Sequence, residues 1–132
     1  MIKTQITFIK KHYYHLRLDE LTSIMNHILP AHPQSRARVQ TVLTHLNLKS
    51  HPLRNRYQRL RIAHDLLLAS FYSDGCLQCR SHTHLQAHHV IPSNKTDTIA
   101  NLKYRKNVQG FLVELRKCIP LCPACHAEKH KN

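Results

Sequence analysis

Apolar residues recur every three or four positions through the first half of the chain, which is the spacing of an amphipathic helix. This spacing predicts three helices, over residues 18–29, 35–48 and 53–72. Ser35 is the expected N-cap of the second helix, and prolines interrupt the pattern between the helices. Residues 2–15 carry apolar side chains without a clear period, so the pattern leaves their secondary structure open.

From Cys76 onward the apolar pattern changes to short segments. Residues 85–91 have the character of a strand that stops at Pro92, and residues 111–121 can hold a second strand. A short helix fits after Pro123, because proline is tolerated in the first turn of a helix. The pattern therefore predicts an α+β chain, with a helical region over residues 1–75 and a small strand-and-helix unit over residues 76–132.

The composition is strongly basic, with 20 lysine and arginine residues against 7 acidic residues and a formal net charge of +13. A charge of this size attracts polyanions, and nucleic acid is the most common polyanion in a cell. The composition therefore favours nucleic acid as the partner, and the alternative is a solvated surface with no specific partner.

Arginines are concentrated near the starts of the second and third predicted helices. Their spacing places them off the apolar faces, so we expect these side chains to remain outside. They form either a solvated scaffold or a surface that docks on DNA. The residues concerned are Arg36, Arg38, Arg54, Arg56, Arg59 and Arg61.

The sequence lacks targeting and membrane signals. No apolar run approaches the length of a membrane span, and the first residues have neither the apolar core nor the cleavage site of a signal peptide. We therefore expect a cytoplasmic protein that is not secreted and has no membrane partner. The sequence leaves the oligomeric state open.

Four of the five cysteines form two Cys-x-x-Cys pairs, Cys76 with Cys79 and Cys122 with Cys125. Two such pairs fill the four tetrahedral positions of one zinc ion, and a closed four-thiolate shell is structural. The alternative is two independent buried pairs. His82 lies close enough in sequence to compete as a ligand, and Cys118 is expected to be a small buried residue.

Four of the 13 histidines stand out, because they lie within the predicted strand-and-helix unit. His88 and His89 are adjacent on a strand, so their side chains point to opposite sides and can divide two tasks. His126 and His130 are four apart on a helix, so both can bind one ion. One strand histidine facing these two gives three imidazole ligands with open positions, the form of a catalytic metal site.

These residues resemble the HNH, or His-Me finger, endonucleases. The resemblance is carried by the first cysteine pair, by the Ala87–Pro92 sequence AHHVIP, by the Leu121–His126 sequence LCPACH and by His130. It covers less than half of the chain. It implies a ββα-metal unit, a β-hairpin packed on a helix, that cuts double-stranded DNA with one catalytic divalent metal.

The resemblance also implies a role for each histidine. His88 stands at the position of a metal ligand, and His89 at the position of the general base that activates water. His126 and His130 match the two metal ligands on the helix. The metal, which can be Mg²⁺, Mn²⁺, Ni²⁺ or Zn²⁺, would stabilise the leaving 3′ oxygen.

The chain departs from the family in two respects. The middle asparagine of the family, which orients the segment that carries the base, is replaced by Lys117, with Asn101 or Asn107 as alternatives after a shift in alignment. The stretch between His89 and His126 is also longer than in compact members, and its basic residues can add contacts to DNA. Two other functions stay open, a non-catalytic zinc module that binds nucleic acid and a ribonuclease of the same fold.

Overall fold

The computed structural model describes residues 1–129, which contain mostly helices and one two-stranded antiparallel sheet. The predicted α+β class is therefore confirmed. The chain divides into two compact units, one of residues 1–67 and one that begins at Leu68. Among the described residues, no helix has both the length and the apolar character needed to cross a membrane.

Four helices begin in the first unit: α1 (Lys3–His12), α2 (Leu18–Ile28), α3 (Arg36–His45) and α4 (Arg56–Phe71). The last three are the helices predicted from apolar spacing, each shorter than expected, and α1 occupies the segment that the pattern left open. Ser35 is the predicted N-cap of α3, since its hydroxyl accepts the backbone N–H of Arg38 at 3.1 Å. Local sequence therefore accounts for most of this unit.

A buried ion pair crosses the interior of the first unit. Arg59 Nε lies 2.9 Å from Glu20 Oε2, and each side chain is only 7% exposed. Arg59 also donates to the carbonyl of Leu53 at 3.0 Å. The expectation that Arg59 remains outside is therefore wrong. The residue shares the buried side of α4 with Ala63, and acceptors inside the fold compensate its charge.

The second unit contains a β-hairpin followed by a helix. β1 (Gln86–His89) pairs antiparallel with β2 (Cys118–Leu121), so that His89 lies opposite Cys118. The helix α7 (Pro123–Lys129) follows directly and packs against both strands. The predicted strand near residues 85–91 and the predicted helix after Pro123 are confirmed.

The segment between the two strands holds two further helices, α5 (Ile99–Leu102) and α6 (Val108–Leu115). The predicted second strand within residues 111–121 is confirmed at residues 118–121, whereas residues 111–115 belong to α6. The helix is favoured because the side chain of Asn107 caps it, accepting the N–H of Gly110 at 2.8 Å. Buried apolar residues at helical spacing then hold α6 in place: Val108, Phe111, Leu112 and Leu115.

Candidate functional site

The two Cys-x-x-Cys pairs meet in the second unit. The sulfurs of Cys76, Cys79, Cys122 and Cys125 all lie within 4.8 Å of one another, and Cys79 Sγ is 3.6 Å from Cys122 Sγ. Sulfurs around a tetrahedral zinc ion lie about 3.8 Å apart, given Zn–S bonds of about 2.3 Å. The four thiols can therefore hold one metal ion such as zinc, and two separate pairs do not describe this arrangement.

Each half of the cluster is shaped by its local backbone. The first pair lies in a tight turn closed by two hydrogen bonds, from Arg80 N to Cys76 O at 2.8 Å and from Cys76 N to Ser81 O at 2.7 Å. Gly75 precedes this turn with a φ of 77°, and a Cβ at this position would lie 2.8 Å from the carbonyl oxygen of Arg80. Glycine is therefore required where the chain enters the turn.

The second pair lies at the end of β2 and the start of α7. Cys122 accepts the backbone N–H of Cys125 at its sulfur, 3.5 Å away. Burial would raise the pKa of Cys76, but backbone hydrogen bonds from Cys79, Cys122 and Gln78 outweigh it and lower the pKa to about 6. The backbone of Cys125 also lowers the pKa of Cys122, whereas the hydrogen bond between their sulfurs raises the pKa of Cys125. Backbone donors directed at sulfur favour the thiolate form, which is the form that binds metal.

Two other residues, His82 and Cys118, do not belong to this cluster. His82 is exposed and does not belong to the group of ligand atoms. Cys118 is buried, as predicted, and its thiol donates to the carbonyl of Glu114 at 3.6 Å. Burial raises the pKa of Cys118 to about 11, so this thiol stays protonated at neutral pH. The candidate metal site therefore consists of the four paired cysteines.

Two of the singled-out histidines face each other across β1 and α7. The ring centroids of His88 and His126 are 5.0 Å apart, with an angle of 75° between the ring planes. The side-chain oxygen of Gln86 is hydrogen-bonded to His126 Nδ1. Nδ1 is then the protonated nitrogen, and Nε2 carries the lone pair that a metal ion would need. His130, the second helix ligand that the resemblance implies, lies outside the described residues.

A cavity of about 260 Å³ opens beside these two rings. His88, His89 and His126 contribute to its wall together with Lys95, whose side chain is exposed. The remaining lining residues are Ala87, Pro92, Thr98 and Ile99. Three histidines and one lysine therefore line a small cavity whose other residues are mostly apolar.

His89 has quite different surroundings from its neighbour His88. It is 8% exposed, and its Nε2 lies 2.8 Å from Oε1 of Glu114, which is 2% exposed. The carboxylate also contacts the amide of Thr96 at 3.0 Å, the hydroxyl of Thr96 at 2.6 Å and Lys117 Nζ at 2.9 Å. The amide of Asp97 lies 3.5 Å from Oε1 as well, so five donors from four residues converge on one buried carboxylate.

The ionisation of Glu114 follows from this network. Burial would raise its pKa, but the hydrogen bonds from Thr96, Lys117 and His89 outweigh burial and hold the pKa well below its ordinary value of 4.5. The group is therefore a carboxylate at neutral pH and can only accept hydrogen bonds.

Lys117 forms hydrogen bonds that connect several segments. Its Nζ donates to the backbone carbonyl of Asn94 at 2.8 Å in addition to Glu114, and its own carbonyl accepts the N–H of Val90 at 3.0 Å. Both Asn94 and Val90 belong to the segment that directly follows β1. Lys117, at the position where the resemblance implies an asparagine, thus contacts the segment next to His89.

The two asparagines named as substitutes are used elsewhere. Asn101 donates to Asp97 at 2.9 Å, and Asn107 caps α6. These contacts are local, and neither asparagine is hydrogen-bonded to the segment 86–94 in the described contacts.

Sequence reasoning missed three residues of this site: Glu114, Thr96 and Gln86. Glu114 had a detectable signal, because it is the one acidic residue of an otherwise apolar segment and precedes Lys117 by three positions, the spacing of a helical ion pair. Thr96 and Gln86 had no such signal, since their partners are distant in sequence.

Comparisons with protein-family models, with curated proteins and with solved structures found no match for this chain. The likeness to HNH nucleases therefore depends on the residues quoted above and on the arrangement of the site.

Proposed function

We propose that this chain is a metal-dependent endonuclease of the HNH type that hydrolyses phosphodiester bonds in DNA. The supporting observation is the cavity beside β1 and α7, whose wall includes His88, His89, His126 and Lys95. These side chains supply metal ligands, a base and a cation for a phosphate group, which is the set that phosphodiester hydrolysis requires.

His88 and His126 would hold the catalytic metal, with His130 as the third ligand implied by the resemblance. Their facing rings and the Gln86 contact that orients His126 fit this role. A bound divalent ion binds a phosphate oxygen and stabilises the negative charge of the leaving 3′ oxygen.

His89 would act as the general base. It accepts a proton from water while the water oxygen forms a bond to phosphorus and the bond from phosphorus to the 3′ oxygen breaks. Lys95 is exposed at the same cavity and would contact a flanking phosphate. The four thiols serve a different purpose, because a closed four-thiolate shell around zinc has no position for substrate.

A non-catalytic zinc module that binds nucleic acid is the second candidate. The observation in its favour is the burial of His89, which restricts the approach of water to the ring. A binding module would retain affinity for nucleic acid without turnover, so a cleavage assay separates the two functions.

The first test is cleavage of supercoiled plasmid by the full chain with Mg²⁺, Mn²⁺ or Ni²⁺, with a chelator control. Replacing His89 by alanine should lower the rate by about 10²–10⁴, the usual loss for a general base, while DNA affinity is retained. His45→Ala is the matched control, because His45 is exposed on α3 in the other unit.

Three outcomes separate the functions. Cleavage of an RNA substrate in preference to plasmid would identify a ribonuclease. Binding without cleavage under every metal would identify the non-catalytic module. Turnover by His89→Ala at the wild-type rate would remove His89 from the mechanism.

A further inference from the structure

Stability alone does not explain why the carboxylate of Glu114 is buried. It belongs to α6, whose buried residues are otherwise apolar, and it is 2% exposed. Moving a carboxylate out of water is costly, and replacing such groups by apolar ones is often neutral or stabilising. Here the surrounding donors hold the Glu114 carboxylate at a fixed position beside His89.

The donors constrain where the carboxylate oxygens lie. Thr96 binds both oxygens, through its amide to Oε1 and its hydroxyl to Oε2, and Lys117 binds Oε2. Oε1 therefore points at His89 Nε2, 2.8 Å away. Lys117 also donates to the carbonyl of Asn94, so the same hydrogen-bond network includes the segment that follows His89.

A carboxylate that only accepts hydrogen bonds determines which imidazole nitrogen carries the proton. The nitrogen that faces it, Nε2 of His89, must be the donor. In neutral His89 the lone pair then lies on Nδ1, at the opposite side of the ring from Glu114. The pair therefore selects one of the two neutral tautomers of the histidine.

We propose that Glu114 is a positioning residue for His89: it fixes the Nε2–H tautomer and leaves Nδ1 as the atom that accepts the proton of the attacking water. The role of Nδ1 depends on the nuclease function proposed above, whereas the tautomer does not. After proton transfer His89 is an imidazolium ion, and the adjacent carboxylate stabilises this charge. Thr96 and Lys117 keep Glu114 in place.

The tautomer can be measured directly in the zinc-loaded full chain. Long-range ¹H–¹⁵N correlation spectra of the chain labelled at histidine distinguish Nε2–H from Nδ1–H rings, and loss of one signal in His89→Gln assigns His89. We expect the Nε2–H form. In Glu114→Gln the side chain offers both a donor and an acceptor, so the Nδ1–H population of His89 should increase.

Cleavage kinetics give the second measurement. Glu114→Gln should lower kcat by about 10- to 100-fold, the usual effect of losing a residue that orients a site histidine, and leave KM unchanged. Its pH–rate profile should shift relative to wild type, which a merely structural residue would not cause. Glu128→Gln is the matched control, since it removes an exposed carboxylate from α7 in the same unit.

The outcomes separate this inference from the nuclease proposal. An Nδ1–H ring in the wild type overturns the positioning role, even if Glu114→Gln fails to fold. Cleavage by Glu114→Gln with wild-type kcat, pH profile and tautomer overturns it as well. A chain that cleaves no nucleic acid but has the Nε2–H ring, lost in Glu114→Gln, supports the pairing and contradicts the nuclease function.

Discussion

At the scale of single residues, two adjacent histidines acquire different chemistry from their surroundings. Successive side chains of a strand point to opposite faces, so His88 meets His126 while His89 meets Glu114. An imidazole beside another imidazole suits metal binding, and an imidazole beside a carboxylate suits proton transfer. Under the proposed function, metal binding and proton transfer would therefore fall to neighbouring residues of β1.

The ion pair of Arg59 with Glu20 leads to a stability prediction at this scale. Arg59→Met should lower the free energy of unfolding by about 3–5 kcal/mol, because Glu20 would remain buried without its charged partner. Urea unfolding monitored by circular dichroism measures this change. Arg61→Met is the control, since Arg61 is exposed on the same helix and should change stability by less than about 0.5 kcal/mol.

A double variant checks the cause. Arg59→Met combined with Glu20→Leu should recover much of the lost stability, because it removes the stranded carboxylate as well. If the double variant is as unstable as the sum of the two single variants, Arg59 and Glu20 are not energetically coupled, and a stranded Glu20 carboxylate does not cause the loss in Arg59→Met.

At the scale of elements, the cysteine cluster joins three segments of the second unit. Its first pair precedes β1, and its second pair spans the end of β2 and the start of α7. The buried apolar residues around the thiols are few: Leu121, with Leu85 and Ile119 partly buried. A core this small needs a metal to make the hairpin and the helix stable.

We therefore expect one zinc ion per chain by elemental analysis and its loss in Cys76→Ser or Cys122→Ser. Structural zinc supplies folding free energy on the order of 10 kcal/mol, so either variant should unfold the second unit. Cys118→Ser is the control, because Cys118 lies outside the cluster and should leave the zinc content unchanged. A folded, metal-free chain with four free thiols would contradict the zinc site.

At the scale of the whole molecule, the net charge of +13 is carried by both units. In the first unit, the arginines that remain exposed lie on or next to α3 and α4: Arg36, Arg38, Arg54, Arg56 and Arg61. Because Arg59 is buried, it does not belong to this surface. If the chain is the proposed nuclease, these exposed arginines can contact phosphates without belonging to the candidate site of the second unit, so DNA affinity and cleavage can be separated by mutation.

Replacing Arg54, Arg56 and Arg61 by glutamine should weaken DNA binding and reduce its salt dependence. Each phosphate contact contributes about −0.9 to the log–log slope of affinity against salt, so the slope should flatten by roughly two to three units. Binding of duplex DNA in a His89→Ala background, across a salt series, measures this effect. Zinc content should stay unchanged.

The matched control removes the same charge from another part of the first unit. Lys3, Lys10 and Lys11 are exposed on α1, and their replacement by glutamine also removes three positive charges. Equal slopes in the two triple variants would mean that DNA affinity depends on the total charge of the chain and not on the position of the arginines. An unchanged slope in both would assign DNA contact to the basic stretch of residues 95–117.

Local signals predicted much of this molecule. Apolar spacing and the Ser35 cap were enough for α2, α3 and α4, because helix formation depends mainly on neighbours within one or two turns. The meeting of the four cysteines at one site was also predictable, since the Cys-x-x-Cys spacing itself lets two sulfurs reach one ion. Prediction was poorer for α6, whose apolar residues fit a strand or a helix until Asn107 is recognised as its cap.

Only the tertiary structure decided the positions of the charged residues inside the fold. Arg59 was expected to lie outside and Glu114 was not singled out, because their partners Glu20 and His89 are distant along the chain. Burial of a charge is decided by whether donors or acceptors from other elements meet it, and no local pattern encodes that meeting. The sequence by itself thus singled out the cysteines and histidines as candidate site residues, and the four paired cysteines do meet in the structure. The packing of α6 against the segment that follows β1 placed the carboxylate of Glu114 against Nε2 of His89, which no local pattern predicts.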